Sequence, residues 1–350
     1  MNKIRNIVIF LYISLLLGVV VSKLNLLKKI NQIDESEKLP QLPEEIIRLM
    51  SQRGVRQMHY MWHQTRNRWN SLTDAEREIL TKMGWFVPRP SRYRNQSVIY
   101  DNDSGEDFLY MHREMINQVN EILSKGDYEY GTEIEGWDEI PAPNDTLYPV
   151  PHLKNGTIET VKTDEFYNNI ILPLSQKFKD PEYLRTITLG ELGARLEFDI
   201  HNSLHLRWAD FNKDFKPIPN PWWDLNAIDK KWDDPSYDHL GDFYSSQIHP
   251  YFWKLHGWVD DRIYDWQEAN GIEEIEWKGT WVGPMNMDHS MPHSHNDQSH
   301  NHTMHHQMNQ QPINHPSHDD KIKDNSQDEY MDHHIHHHNN NKHHSTIIGN

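Results

Sequence analysis

A mainly α-helical fold is predicted, a helical bundle with long loops followed by a disordered C-terminal tail. Three observations predict it. Apolar residues recur at three- and four-residue spacing over several stretches, β-type alternation is short and rare, and beyond about Gly283 no apolar periodicity survives.

Helical patterning begins at Pro43 with Ile46, Ile47 and Met50, and continues through Met58, Met61 and Trp62. Thr73-Asp74-Ala75-Glu76 reads as a capping box opening a helix that Gly84 closes. Pro88 and Pro90 mark a loop. Phe108, Met111, His112, Met115, Val119, Ile122 and Leu123 then share one helix face, and Gly126 ends it. Residues 127–160, rich in Pro, Gly and Asp, read as a long loop. Helical signals return over 164–178 and 181–208, and a Pro/Trp/Asp-rich insertion spans about 209–246. Phe252, Leu255, His256, Val259, Ile263 and Trp266 lie on one face of a last strong helix.

The ends read differently. Lys3 and Arg5 precede an apolar run from Ile7 to Val21, with Val20-Val21-Ser22 as a cleavage site, so residues 1–22 are expected to be a signal peptide; a signal anchor is the alternative. Asn-x-Ser/Thr acceptors at Asn95, Asn102, Asn144, Asn155 and Asn301 suit a secreted glycoprotein. Residues 23–42 form a polar linker, 43–283 the folded domain, and 284–350 a tail too polar to offset chain entropy by burial. No stable membrane association is expected. A formal net charge of −17 without a basic cluster argues against nucleic acid, whose phosphates need a Lys/Arg surface. With no cysteine in the chain, disulfides, thiolate metal sites and Cys nucleophiles are excluded.

Histidine carries the chemistry. Of 25 histidines, 16 lie between His289 and His344, leaving His59, His63, His112, His152, His201, His205, His239, His249 and His256. His59/His63 and His201/His205 are i, i+4 pairs, which stack on one face of a helix and can share a metal ion. His112 and His256, each on the apolar face of its own helix, are the candidate third ligands. A helical zinc protease needs Glu after the first His, where Tyr60 and Asn202 stand, and a carboxylate-bridged di-iron site needs Glu-x-x-His motifs that these histidines lack. Two all-imidazole sites leave two copper ions as the preferred cofactor and a binuclear copper centre in the bundle as the expected architecture.

His201-Asn-Ser-Leu-His205, followed by His249-Pro-Tyr-Phe-Trp-Lys-Leu-His256-Gly-Trp-Val-Asp260 and Trp266, resembles the second copper site of the tyrosinase/hemocyanin (type 3 dicopper) family, where the pattern is His-Asn-x-x-His and then Asp-Pro-x-Phe-x-x-His-His-x-x-x-Asp. The resemblance implies that His201, His205 and His256 bind one copper, that Phe252 packs against it, and that Asp260 accepts a proton from a ligand imidazole. Phe108-Leu-Tyr-Met-His112-Arg113 is similar to the segment carrying the third ligand of the first site, and Arg66-Asn-Arg-Trp-Asn-Ser-Leu-Thr-Asp-Ala-Glu76 to the N-terminal helix signature. Tyrosinases place the first two ligands between those segments, where this chain has no His; His59 and His63 precede them, in a pairing similar to that of arthropod hemocyanins and phenoloxidases. Other departures are His249 for Asp, Leu255 for the His beside the ligand, and a longer segment between His205 and His256.

The resemblance implies hydroxylation of a phenol (monooxygenase), oxidation of a catechol to a quinone (oxidase), or oxygen carriage; the expected partners are a phenolic or catecholic small molecule and dioxygen. Asn202 is the residue type of phenol-hydroxylating members, and either Glu191 or Glu197 is a candidate for holding a water. The alternative function is oxygen or copper binding without turnover. In the tail, Met285, Met287, Met291, Met304, Met308 and Met331 alternate with histidines, a set suited to copper capture, or to storage of Zn or Ni.

Overall fold

A computed structural model describes residues 41–154 and 159–284. The predicted signal peptide, nearly all of the linker and the His/Met-rich tail lie outside the described residues. Among the described residues the fold is mainly helical without strands; an isolated bridge joins Arg92 and Val98. No described helix is long and apolar enough to cross a membrane.

Helix α1 spans Glu44–Met50 and α2 spans Arg53–Arg68. Helix α3, Asp74–Lys82, opens on the predicted capping box: Thr73 Oγ1 accepts the Glu76 N–H at 3.3 Å while the Glu76 carboxylate accepts the Thr73 N–H at 2.7 Å. Gly84 beyond it has φ +90, a left-handed value that a side chain would strain. Helix α4 runs Ser104–Leu123. Helix α5 joins Asp164–Phe166, a π-helical turn Tyr167–Ile171, and Leu172–Lys177. The expected helical stretch 181–208 is interrupted. A short α6, Pro181–Leu184, ends before Thr188, whose hydroxyl caps the next helix by accepting the Glu191 N–H at 3.1 Å. That helix, α7, joins Leu189–Arg195, a π-helical segment Leu196–His201 and Asn202–Trp208. Helix α8, Pro250–Asn270, starts with Pro at its first position and stops at Gly271, φ +63.

Helices α2, α4, α7 and α8 carry the histidines of interest, and two features bring them together. The first is small residues. A Cβ on Gly105 of α4 would lie 2.1 Å from Ala194 N and Gly190 O of α7, so the two backbones touch where only hydrogen fits. The long loop does the same to α8: a Cβ on Gly257 would meet Gly136 at 2.6 Å, and the Trp137 N–H donates to Lys254 O at 3.2 Å. The second is buried charge. Arg66 of α2 forms a two-point pair with Glu197 of α7 at 2.8 and 3.1 Å, both side chains nearly free of solvent. An ion pair so buried costs about 3–5 kcal/mol to break from one side, because the surviving charge stays out of water.

The insertion of 209–246 consists of turns and short 3₁₀ segments, Leu225–Ala227 and Lys230–Asp233, held on α2 by arginines. Arg53 donates to Leu225 O, Ile228 O and Asp233, and Arg56 to Tyr237 O and Asp234 O at 3.0 and 2.8 Å. At the other end, residues 277–284 lie against the start of α4. Glu106 accepts the N–H groups of Lys278 and Gly279, both at 2.7 Å, and Asp107 that of Trp281 at 2.8 Å.

Candidate metal centre

The histidines that sequence reasoning singled out converge in the bundle. His59, His63, His112, His201, His205 and His256 are all buried, from 1% exposed for His201 to 7% for His205. The i, i+4 spacing does its work on α2: the His59 and His63 rings are 4.8 Å apart, and His112 from α4 completes a group whose ligand nitrogens lie within 4.8 Å of one another. On α7, where the π-helical segment ends at His201, the Nε2 atoms of His201 and His205 are 3.0 Å apart, and His256 Nε2 from α8 is 3.3 Å from each. His112 borders both groups, within 4.8 Å of His201 and His256 and stacked on the His256 ring at 4.2 Å and 10°. We assign the second group to His201, His205 and His256, because its mutual distances are the shorter.

Hydrogen bonding fixes which nitrogen is free. A backbone carbonyl can only accept, so a ring nitrogen facing one must carry the proton. His59 Nδ1 faces Phe243 O at 2.6 Å, His112 Nδ1 faces Phe108 O at 2.8 Å and His205 Nδ1 faces Leu240 O at 2.8 Å. His201 Nδ1 meets the Asn202 carboxamide oxygen at 3.2 Å. In the neutral rings of His59, His112 and His205 Nε2 is then the bare nitrogen, and the Nε2 atoms of His59 and His112 are buried without a hydrogen-bond partner. Burial keeps the rings neutral. It lowers the His59 and His205 values to about 4, and holds His63, His112, His201 and His256 well below the ordinary imidazole range, assisted by neighbouring histidines.

The Nε2 atoms of His201 and His205 meet at 3.0 Å with His256 Nε2 3.3 Å from each, so three ring nitrogens converge on one point. Imidazole nitrogens bound to one ion at roughly 2.0–2.1 Å and disposed tetrahedrally sit about 3.3 Å apart. The second group matches that spacing and the first is somewhat looser. The described residues therefore contain histidine clusters able to hold a metal ion, and backbone carbonyls set the tautomers of His59, His112 and His205 in advance.

Phe252 packs on His256 at 4.0 Å between ring centroids and also borders His59, His205 and His112. Asn202 lies beside His201 and holds its Nδ1. Asp260 does not reach a ligand imidazole. Arg113 takes both of its oxygens at 2.7 and 3.1 Å, a two-point contact that a single imidazole N–H does not match, and His256 Nδ1 is left buried without a partner. Glu197 is committed to Arg66 and Glu191 to Arg195 at 2.9 Å, so arginine holds both carboxylates proposed for water. His249, which stands where the resembled pattern has Asp, caps α8, its Nδ1 accepting the Tyr251 N–H at 3.1 Å. Asn95 and Asn144 are exposed, the Asn102 carboxamide is engaged by Pro90 O and the Ser104 N–H, and Asn155 and Asn301 lie outside the described residues.

Sequence reasoning missed Phe243, whose ring lies flat on His63 at 4.3 Å and 9°, and the carbonyls of Leu240 and Phe243. Neither could be found from periodicity, because both belong to a non-helical loop and two of the contacts are backbone atoms. Phe108 was noted as a core position; it also borders His112 and His201 at 4.6 and 5.0 Å. Compared with known proteins, the chain matches no family model and no curated protein sequence.

Proposed function

We propose that the chain is a type 3 dicopper oxidoreductase, similar to tyrosinases and catechol oxidases, that oxidises catechols and more slowly phenols to quinones with dioxygen. The observation that carries it is the convergence of six buried, neutral imidazoles into two groups of three, with the nitrogens of the second group 3.0–3.3 Å apart. His59, His63 and His112 would hold one copper ion, and His201, His205 and His256 the other. When bound, the coppers would supply the site for dioxygen and accept electrons from the phenol.

The rest of the chemistry belongs to the chain. Carbonyls of Phe108, Leu240 and Phe243 keep the protons of three ligands on Nδ1, and the Asn202 carboxamide orients the His201 ring through its Nδ1. Phe108 and Phe252 exclude water between the two groups. Phe243 is only partly buried and lies on His63, so a substrate approaching from that side meets an aromatic ring first. Export from the cell belongs to the same proposal and rests on residues 1–22.

The depth of the centre favours one second reading, dioxygen carriage. The most open ligand, His205, is only 7% exposed, which suits a diatomic guest better than a phenol. The assay that separates the readings is quinone formation from a catechol by copper-loaded protein under air. Turnover in the unaltered chain, lost in His201→Ala and His256→Ala, supports the oxidase. Reversible dioxygen uptake without any quinone overturns it and leaves the carrier.

A further inference from the structure

The 209–246 insertion ends in a loop that touches both histidine groups. Its Leu240 O holds His205 of the second group and its Phe243 O holds His59 of the first, at 2.8 and 2.6 Å, while the Phe243 ring covers His63. Three ligands on two different helices thus depend on four consecutive residues, 240–243. By contrast His112 is held by Phe108 O of its own helix, one turn back, and owes the loop nothing.

A carbonyl can set a tautomer only if it is itself fixed, and the fixing converges on Asp242. Its carboxylate accepts the Tyr237 hydroxyl at 2.7 Å and the Tyr244 N–H at 3.1 Å, and Lys216 Nζ stands 3.9 Å away. Its main chain closes the turn on both sides, donating to His239 O at 3.1 Å and accepting from Ser245 and Ser246 at 2.9 and 2.8 Å. Lys216 and Tyr237 come from the same insertion, and the Tyr237 hydroxyl also accepts the Lys216 N–H at 2.8 Å. Asp242, Lys216 and Tyr244 are each 6% exposed or less, so water offers these groups no ready replacement partners.

We infer that Asp242 is a positioning residue for both metal sites: through the loop 240–243 it holds His59 and His205 in the metal-binding tautomer, and so ties the affinities of the two sites together. The inference rests on the metal-binding reading of the site. Outer partners of this kind are typically worth ten- to a hundredfold in metal affinity.

The test uses the full chain, metal-free, with ¹⁵N-labelled imidazoles observed by NMR, followed by titration with zinc(II) as a diamagnetic probe read at individual ligand resonances. In Asp242→Ala, His59 and His205 should lose their uniform Nδ1–H signature while His112 keeps it, and zinc binding reported by His59 and by His205 should weaken together by tenfold or more. Asp242→Glu should restore part of both. Tyr237→Phe, which removes a single hydroxyl and is the milder change, should move the same two histidines in the same direction, and it decides the matter if Asp242→Ala does not fold. Unchanged tautomers at His59 and His205, weakening confined to one site, or equal loosening of His112 overturns the inference. The tautomer signature needs no metal. Its shift in a protein that binds no zinc at either site would sink the metal-binding reading instead.

Discussion

Substituting Gly105 tests how closely α4 and α7, which carry candidate metal ligands, approach one another, because two physical effects predict opposite signs. Helix propensity alone favours alanine over glycine within a helix by about 0.5–1 kcal/mol, so Gly105→Ala should stabilise an otherwise indifferent helix. The structure predicts the reverse. The new methyl carbon would sit 2.1 Å from Ala194 N and Gly190 O, about 1.3 Å short of ordinary contact, and both neighbours are backbone atoms that cannot rotate away. Relief requires the helices to part, and overpacking of this kind costs roughly 1–3 kcal/mol. For a folded region of this size that lowers the melting temperature by about 2–12 °C. Gly54→Ala supplies the matched control, since nothing lies within 4 Å of a Cβ there, and it should raise melting by up to about 4 °C. Because α4 carries His112 and α7 carries His201, whose rings are 6.0 Å apart, Gly105→Ala should also weaken metal uptake, and Gly54→Ala should not. Thermal melts of the three proteins with and without added copper make the comparison. A Gly105→Ala protein melting at or above the unaltered one would refute the close approach and the reasoning built on it.

Two further outcomes are expected. His59 and His205 have folded values near 4 against an unfolded value near 6.5, so below 6.5 the unfolded chain binds more protons; stability of the metal-stripped protein should be complete above that pH and fall between about 6.5 and 4, by up to roughly 1.4 kcal/mol per pH unit for each ring, and denaturant unfolding at pH 7.5, 5.5 and 4.5 that shows no decline would contradict the assignment. A chain ending after Pro284 should melt like the full chain and reach the same activity with excess copper, loading more slowly when copper is scarce; one ending after Glu276 should melt lower, because Glu106 and Asp107 lose three backbone donors and hydrogen bonds to charged groups are worth about 1.5–3 kcal/mol each, and equal melting of the two would refute that tie.

The sequence by itself determined the local facts, those carried by spacing and chemistry within one helix. The Thr73 capping box, the close of α4 before Gly126, the stacked pairs on α2 and α7, and the places of His112 and His256 on apolar faces were legible from local pattern, because a helix repeats every 3.6 residues whatever surrounds it. Imidazole donors without thiolates or adjoining carboxylates already narrowed the metal. Only the tertiary structure decided who meets whom. Asp260 lies one turn from His256, yet Arg113 from another helix takes it, and Glu197 is likewise held by Arg66, 131 residues away in sequence. The break between α6 and α7 is set by a side-chain cap inside what reads as one helical run. The groups that hold His59 and His205 ready are carbonyls in a loop without periodicity, reached across 184 and 35 residues. Every residue carries a carbonyl, so its presence in the sequence says nothing; its direction is fixed only when Asp242, Tyr237 and the arginines of α2 fold the insertion against the bundle.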